Sequence, residues 1–197
     1  LAAGGLQVLD LEHLARHRGS LLGDLPGDPQ PSQKHFESLV LEALERFDPA
    51  RAVYVESESR KIGTLQVPEA LLDVMRRAEC IRLDTPQALR LQLLKEDYPH
   101  FLADAPALSE RLAHLAPLHG HKVVQRWTEA ATAGDWDTLV ADLLLQHYDP
   151  SYTRAIGRNF VRVAEAVVAT PAGITDTDFR RVAQELERAC GLLLGHD

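Results

Sequence analysis

Two short stretches hold the residues best suited to grip an anion. In "AVYVESESRKIG" (52–63) the apolar run Ala52 to Val55 stops at Glu56, and Ser57, Glu58, Ser59, Arg60 and Lys61 follow before Gly63. A carboxylate at the end of a buried strand can orient a magnesium ion on ligand phosphates, often through water. Ser57 and Ser59 can donate to phosphate oxygens, and the Arg60 guanidinium can pair with them through two bonds. The same residues also make an ordinary turn whose charges face water. In "HRGS" (17–20), Arg18 supplies a guanidinium fork, Gly19 permits close backbone approach and Ser20 supplies a hydroxyl. Taken alone, those four residues read as a loop.

Other constellations are less specific. His114, His119 and His121 cluster in sequence but lack cysteine partners or an H-E-x-x-H spacing, so they read as an interhelical loop rather than a metal site. Cys80 lies inside a strand pattern with no neighbouring positive residue, which gives no support to a nucleophilic role. Arg154, Arg158 and Arg162 step by four, and on one helix they would form a basic ridge able to meet an RNA backbone or simply a solvated face. No G-x-x-x-x-G-K-[S/T] and no G-x-G-x-x-G occurs.

The elements that must position these groups follow from the hydrophobic pattern. The chain has 197 residues, 45% of them hydrophobic, and a formal charge of −8, which argues against coating nucleic acid by bulk charge. Cys80 and Cys190 fit buried thiols in a reducing compartment. No secretory leader or membrane span is legible, so a cytoplasmic location without membrane contact is expected. The opening "LAAGG" reads as the last turn of a helix with a glycine stop, and the chain is expected to be a fragment. "LQVLDLE" (6–12), "AVYVE" (52–56) and "ECIRLD" (79–84) predict strands, with a last short one near 165–170.

Between them lie helices. Ser32 caps one bearing Phe36, Leu39, Val40, Ala43, Leu44 and Phe47; Pro68 opens another, and Thr85-Pro86 a third. Further helices follow over 100–160, one closed by Gly134 and the next capped by Asp135, before "HYDPSY" (147–152) breaks the pattern. Thr175 and Asp178 form a capping-box variant ahead of a final helix with Phe179, Val182, Leu186 and Cys190. Alternating strands and helices predict an α/β fold with a parallel sheet covered on both faces. Ligands of such sheets sit beyond the carboxyl ends of the strands, which here finish in Asp10/Glu12, Glu56/Glu58 and Asp84.

Taken together, "VLDLEHLARHRGSLLG", "QPSQKHFES", "VYVESESRKIG" and "YDPSY" resemble the bacterial tRNA 2-selenouridine synthase family, from about residue 5 to beyond 160. The resemblance implies a remnant of a P-loop-type parallel sheet with helices on both faces, plus a mainly helical insertion or C-terminal region. The implied layout is a truncated P-loop-type α/β domain over 1–99, a helical region over 100–160, and a last strand and C-terminal helix over 161–197. The family's rhodanese-like domain with its catalytic cysteine, and its phosphate cradle, are expected ahead of residue 1. In such folds the cradle-bearing strand lies centrally, which predicts either an interruption between the strands near 52–56 and 79–84 or direct pairing of the two.

By resemblance, the parent enzyme is a transferase that replaces the sulfur of 2-thiouridine at the tRNA wobble position with selenium from selenophosphate. The route passes through an S-geranylated intermediate made from geranyl diphosphate. The isolated fragment is expected to be inactive. tRNA, and a selenophosphate-producing enzyme, are the partners implied. Ligand-binding residues carried over by position are Arg18, Gly19, Ser20, Ser32, Gln33, Phe36, Glu56, Ser57, Glu58, Ser59 and Arg60, with Glu56 as the magnesium-orienting acid. A small-molecule phosphotransferase of the P-loop type and a non-catalytic tRNA-binding module remain the alternatives.

Overall fold

The computed structural model describes residues 2–57 and 59–194; Glu58 and the side chain of Cys190 lie outside the described residues. The chain divides into two compact units, 1–84 with 155–197, and 85–154. The first unit opens with β1 (Gln7–Leu9), α1 (Leu11–Ala15), α2 (Gln33–Glu45), β2 (Val53–Val55), β3 (Lys61–Ile62), β4 (Leu65–Gln66), α3 (Glu69–Arg77) and β5 (Ile81–Leu83). The second holds α4 (Gln87–Asp97), α5 (Pro99–Ala103), α6 (Ala105–Ala113), α7 (Ala116–His119), α8 (His121–Ala133) and α9 (Trp136–Leu143). A π-helical turn over Leu144–Tyr148 runs into α10 (Asp149–Asn159). The chain then forms β6 (Val167–Ala169) and α11 (Asp176–Leu194) in the first unit.

The fold is mixed α/β with parallel strand pairs. β1 pairs with β2 in parallel, in the register Gln7↔Val53, Val8↔Tyr54 and Leu9↔Val55. β5 pairs in parallel with β6, Ile81↔Val167 to Leu83↔Ala169. No ladder joins β2 to β5 among the described residues, so of the two arrangements expected there the interruption is the one present. The two pairs nevertheless share a small apolar cluster: Tyr54 of β2, Ile81 of β5 and Val167 of β6 pack against the group formed by Ala169 of β6 and Val182 and Leu186 of α11. A larger core beside β1 and β2 buries Leu9, Leu11, Phe36, Val40, Ile62, Leu65, Leu72 and Met75.

Two local expectations change, and one element, a hairpin, is unexpected. The strand expected over 6–12 ends at Leu9, because the Asp10 carboxylate accepts the His13 N–H at 2.8 Å and starts α1 instead. The stretch 61–66 is a β-hairpin whose two-residue turn places Gly63 at φ 59°. The break expected at "HYDPSY" does not occur. Pro150 sits in the first turn of α10, where its missing N–H costs nothing, and the wider π turn before it absorbs the change of helix.

The second unit is helical. α8 packs on α6 and α9, and α9 on α4, around Leu108, Leu112, Trp127, Ala131 and Leu139. Arg90 on α4 holds Asp149 at the start of α10 through two bonds, of 3.0 and 2.5 Å. That pairing pushes the guanidinium's already high pKa up further. The region expected to be helical over 100–160 falls mostly within this unit.

Candidate functional site

Parallel pairing brings the ends of β1 and β2 side by side, with Leu9 opposite Val55 and the acids Asp10 and Glu56 immediately beyond. Glu56 Oε1 accepts the Glu12 N–H at 2.7 Å, tying the strand end to the first turn of α1. A carboxylate suits that position, since the first N–H groups of a helix have no partner inside it. Asp84 ends the other strand pair, where its own N–H donates to Ala169 O at 2.9 Å. Asp10 and Glu56 therefore belong to one rim, and Asp84 closes a separate ladder.

The "HRGS" loop leaves the C-terminal end of α1, the helix whose first turn holds Glu56. Arg16 takes the left-handed conformation, φ 52°, and the His17 N–H returns to Glu12 O at 3.0 Å, so the chain turns sharply. Arg18 N–H donates to Gly23 O, and Gly23 N–H to Ser20 O, each at 2.9 Å, closing a compact loop with Gly19 at φ 64°. The Ser20 hydroxyl is buried and makes no hydrogen bond. Gln30, at the end of the Gly- and Pro-rich stretch "GDLPGDPQP" (23–31), braces this region. It donates to Ala15 O at 3.2 Å and Ile62 O at 3.0 Å, and accepts from Thr64 N–H at 2.8 Å.

Several residues carried over as ligand partners have architectural work in the fold. Ser32 caps α2, accepting the His35 N–H at 3.3 Å. Gln33 pairs with the backbone of Gln66 in both directions, each bond 2.8 Å, like an added strand residue on the hairpin's edge. Phe36 is wholly buried in the core. Ser59 is spent locally, its hydroxyl donating to Lys61 O at 2.7 Å. Ser57 is exposed, and Arg60 is exposed with only a long pair to Glu69, 3.9 Å. Of the remaining residues of that set, Arg18, Gly19, Ser20 and Glu56 are half-buried, and Ser57 and Arg60 are exposed.

The basic ridge expected from Arg154, Arg158 and Arg162 does not form on one helix. α10 ends at Asn159, and Arg162 lies in the 3-10 turn beyond it, paired with Glu79 at 3.4 Å and Glu165 at 3.5 Å. Arg162 also lies close enough to Cys80 to pull its thiol pKa down, a neighbour the sequence does not reveal, but burial outweighs it and the pKa is raised. Among the described residues no three His, Cys, Asp or Glu side chains converge on a metal position. His119 instead meets His147, Nε2 to Nδ1 at 3.1 Å, and burial together with His119 pushes the His147 pKa down.

Parallel strand pairs beside helices, with Asp10 and Glu56 directly beyond the paired ends of β1 and β2, define a mixed α/β domain. The chain belongs to the tRNA 2-selenouridine synthase family: the family model described as "tRNA 2-selenouridine synthase AAA domain" matches residues 3–107. A tRNA 2-selenouridine synthase of Aeromonas salmonicida is 35% identical over 188 residues, covering 80% of this chain and 50% of that protein. One of Nitrosomonas europaea is 43% identical over 94 residues, covering 46% of this chain and 24% of that protein. The chain thus spans half the length or less of these relatives. No solved structure matches it. Among the described residues no helix is long and apolar enough to cross a membrane.

Proposed function

We propose that this chain is the part of a tRNA wobble-uridine modifying transferase that binds a diphosphate-bearing ligand and the tRNA. In the complete enzyme the sulfur of 2-thiouridine is replaced by selenium from selenophosphate, by way of an S-geranylated intermediate made from geranyl diphosphate. The observation that carries the reading is the rim at the ends of β1 and β2, where Glu56 is fixed against the first turn of α1 and His17, which opens the Arg18-Gly19-Ser20 loop, bonds back to Glu12 of the same helix. Family membership supplies the tRNA and the selenium chemistry. The isolated chain is taken to be inactive, with the chemistry residing in the remainder of the enzyme.

Arg18 and Arg60 are the phosphate partners in this reading, with Ser57 as a donor. Magnesium is read here as an ion carried on ligand phosphates with Glu56 as its protein anchor, since no three His, Cys, Asp or Glu side chains of the described residues converge on a metal position. Bound there, it would neutralise phosphate charge. Arg154 and Arg158 on α10 are the RNA-facing candidates, since Arg162 is already paired.

The fold is read as a P-loop-type sheet in which one further parallel strand belongs between β2 and β5. Those two strands each present an edge with no strand partner among the described residues, while Tyr54 and Ile81 meet in one apolar cluster. The test of function is made in the full-length enzyme. Glu56→Ala and Arg60→Ala are each expected to lower geranylation and selenation of tRNA by about tenfold or more, the effect of losing one charge-assisted contact. Unchanged turnover in both variants overturns the assignment. Phosphate transfer to a small metabolite in place of tRNA modification would favour the phosphotransferase alternative.

A further inference from the structure

Among the described residues the one buried polar residue is His17, 5% exposed. Both of its ring nitrogens are engaged. Nδ1 accepts the Gly19 N–H at 3.1 Å, and Nε2 lies 3.2 Å from Asp24 Oδ1. A nitrogen that accepts a backbone N–H carries no proton, so the ring proton sits on Nε2 and is donated to Asp24. The ring is also wedged between two glycines from separate segments. A Cβ at Gly23 would lie 2.8 Å from His17 Cε1, and one at Gly63 would lie 2.8 Å from His17 Cδ2. Gly63 has a left-handed backbone in any case, but Gly23 does not. At Gly23 the absence of a side chain answers to close approach, by the imidazole and by the Ser20 carbonyl at 2.9 Å.

We propose that His17 is a positioning residue: its ring holds the Arg18-Gly19-Ser20 loop in one conformation by accepting the Gly19 N–H while clamped between Gly23 and Gly63. The inference rests on the reading that this loop meets a phosphate-bearing ligand. It also separates His17 from acid–base chemistry, since both nitrogens are occupied and the ring is sealed from solvent. Loop 17–24 and hairpin 61–66 close on opposite sides of one imidazole, so the ring registers the two segments against each other. Loss of the Gly19 bond alone would leave the loop's direction of approach unset.

The two nitrogens can be tested separately in the full-length enzyme. Asn at 17 keeps an acceptor near the place of Nδ1, Gln keeps a donor near the place of Nε2, and Ala keeps neither. Hydrogen exchange of the 17–24 amides and equilibrium binding of inorganic pyrophosphate are measured for His17→Asn, His17→Gln and His17→Ala. His17→Ala and His17→Gln are expected to speed exchange and weaken pyrophosphate binding by about tenfold, the loss of one backbone hydrogen bond, while His17→Asn restores both. If His17→Asn behaves as His17→Ala, or if exchange is unchanged in His17→Ala, the proposal fails. Pyrophosphate binding absent from the unsubstituted enzyme would sink the phosphate reading, and the exchange data would still decide the role of His17. Should His17→Ala not fold, Gly23→Ala pushes on the ring without removing it. It is expected to speed exchange across 17–24, and unaltered exchange in that variant counts against the clamp.

Discussion

His147 shows how one side chain sets a response to pH. It is partly buried, Nδ1 faces His119 Nε2 at 3.1 Å, and its tilted edge lies against Tyr148, ring centroids 4.8 Å apart. Burial and the neighbouring imidazole disfavour its charged form, so its folded pKa lies below the ordinary 6.5. The unfolded chain therefore takes up this proton at higher pH than the folded chain does. The contribution is fully present above 6.5 and is lost as pH falls toward the lowered folded value. Thermal unfolding should accordingly move to lower temperature between about pH 7.5 and about pH 5, and His147→Gln should flatten that slope. A variant with an unchanged slope would place the response on another group. Trp127, 1% exposed with its indole N–H unpaired by hydrogen bond, lies at the inner end of the same ring cluster, edge-on to His119 at 5.1 Å.

At the scale of elements, the hairpin β3–β4 illustrates dependence on distant partners. Two residues per strand supply too few ladder bonds for independent stability. Gln33 from α2 pairs with both backbone groups of Gln66, and Gln30 holds Ile62 and Thr64. Gln33→Ala should cost about 1 kcal/mol, because the site is exposed and water replaces part of each bond. Faster amide exchange at 61–66 than elsewhere in the variant would locate the loss.

The same hairpin marks the limit of what the sequence discloses. Ser32, Gly134, Asp135 and the Thr175–Asp178 box announce helix ends because each acts on backbone within a few residues. The apolar runs at 53–55 and 81–83 announce strands for a similarly local reason. The hairpin depends on side chains some thirty residues away, and no local pattern encodes that. The Asp10 cap and the π turn before Pro150 each replaced a plausible local reading with one settled by geometry. Of the site, Glu56 is legible from its place after an apolar run. His17 is not, because a histidine beside Arg-Gly carries no mark of the two glycines that will enclose it.

For the whole molecule, the two parallel pairs decide how this part relates to a longer protein. β2 and β5 each send a residue into one apolar cluster with no ladder between them, and Val53 and Leu83 are exposed. A parallel strand supplied by the remainder of the enzyme would slow amide exchange at 53–55 and 81–83 in the full-length protein relative to this chain alone. Equal exchange in the two would remove the strand from the fold.

Each open rim is only three residues long, too little to retain a visiting peptide through one ladder. A single strand that answers both rims captures the second at high local concentration once the first has closed. In the proposed fold such recruitment would be all-or-none: damage to either edge would forfeit most of the gain, and half-docked forms would stay scarce.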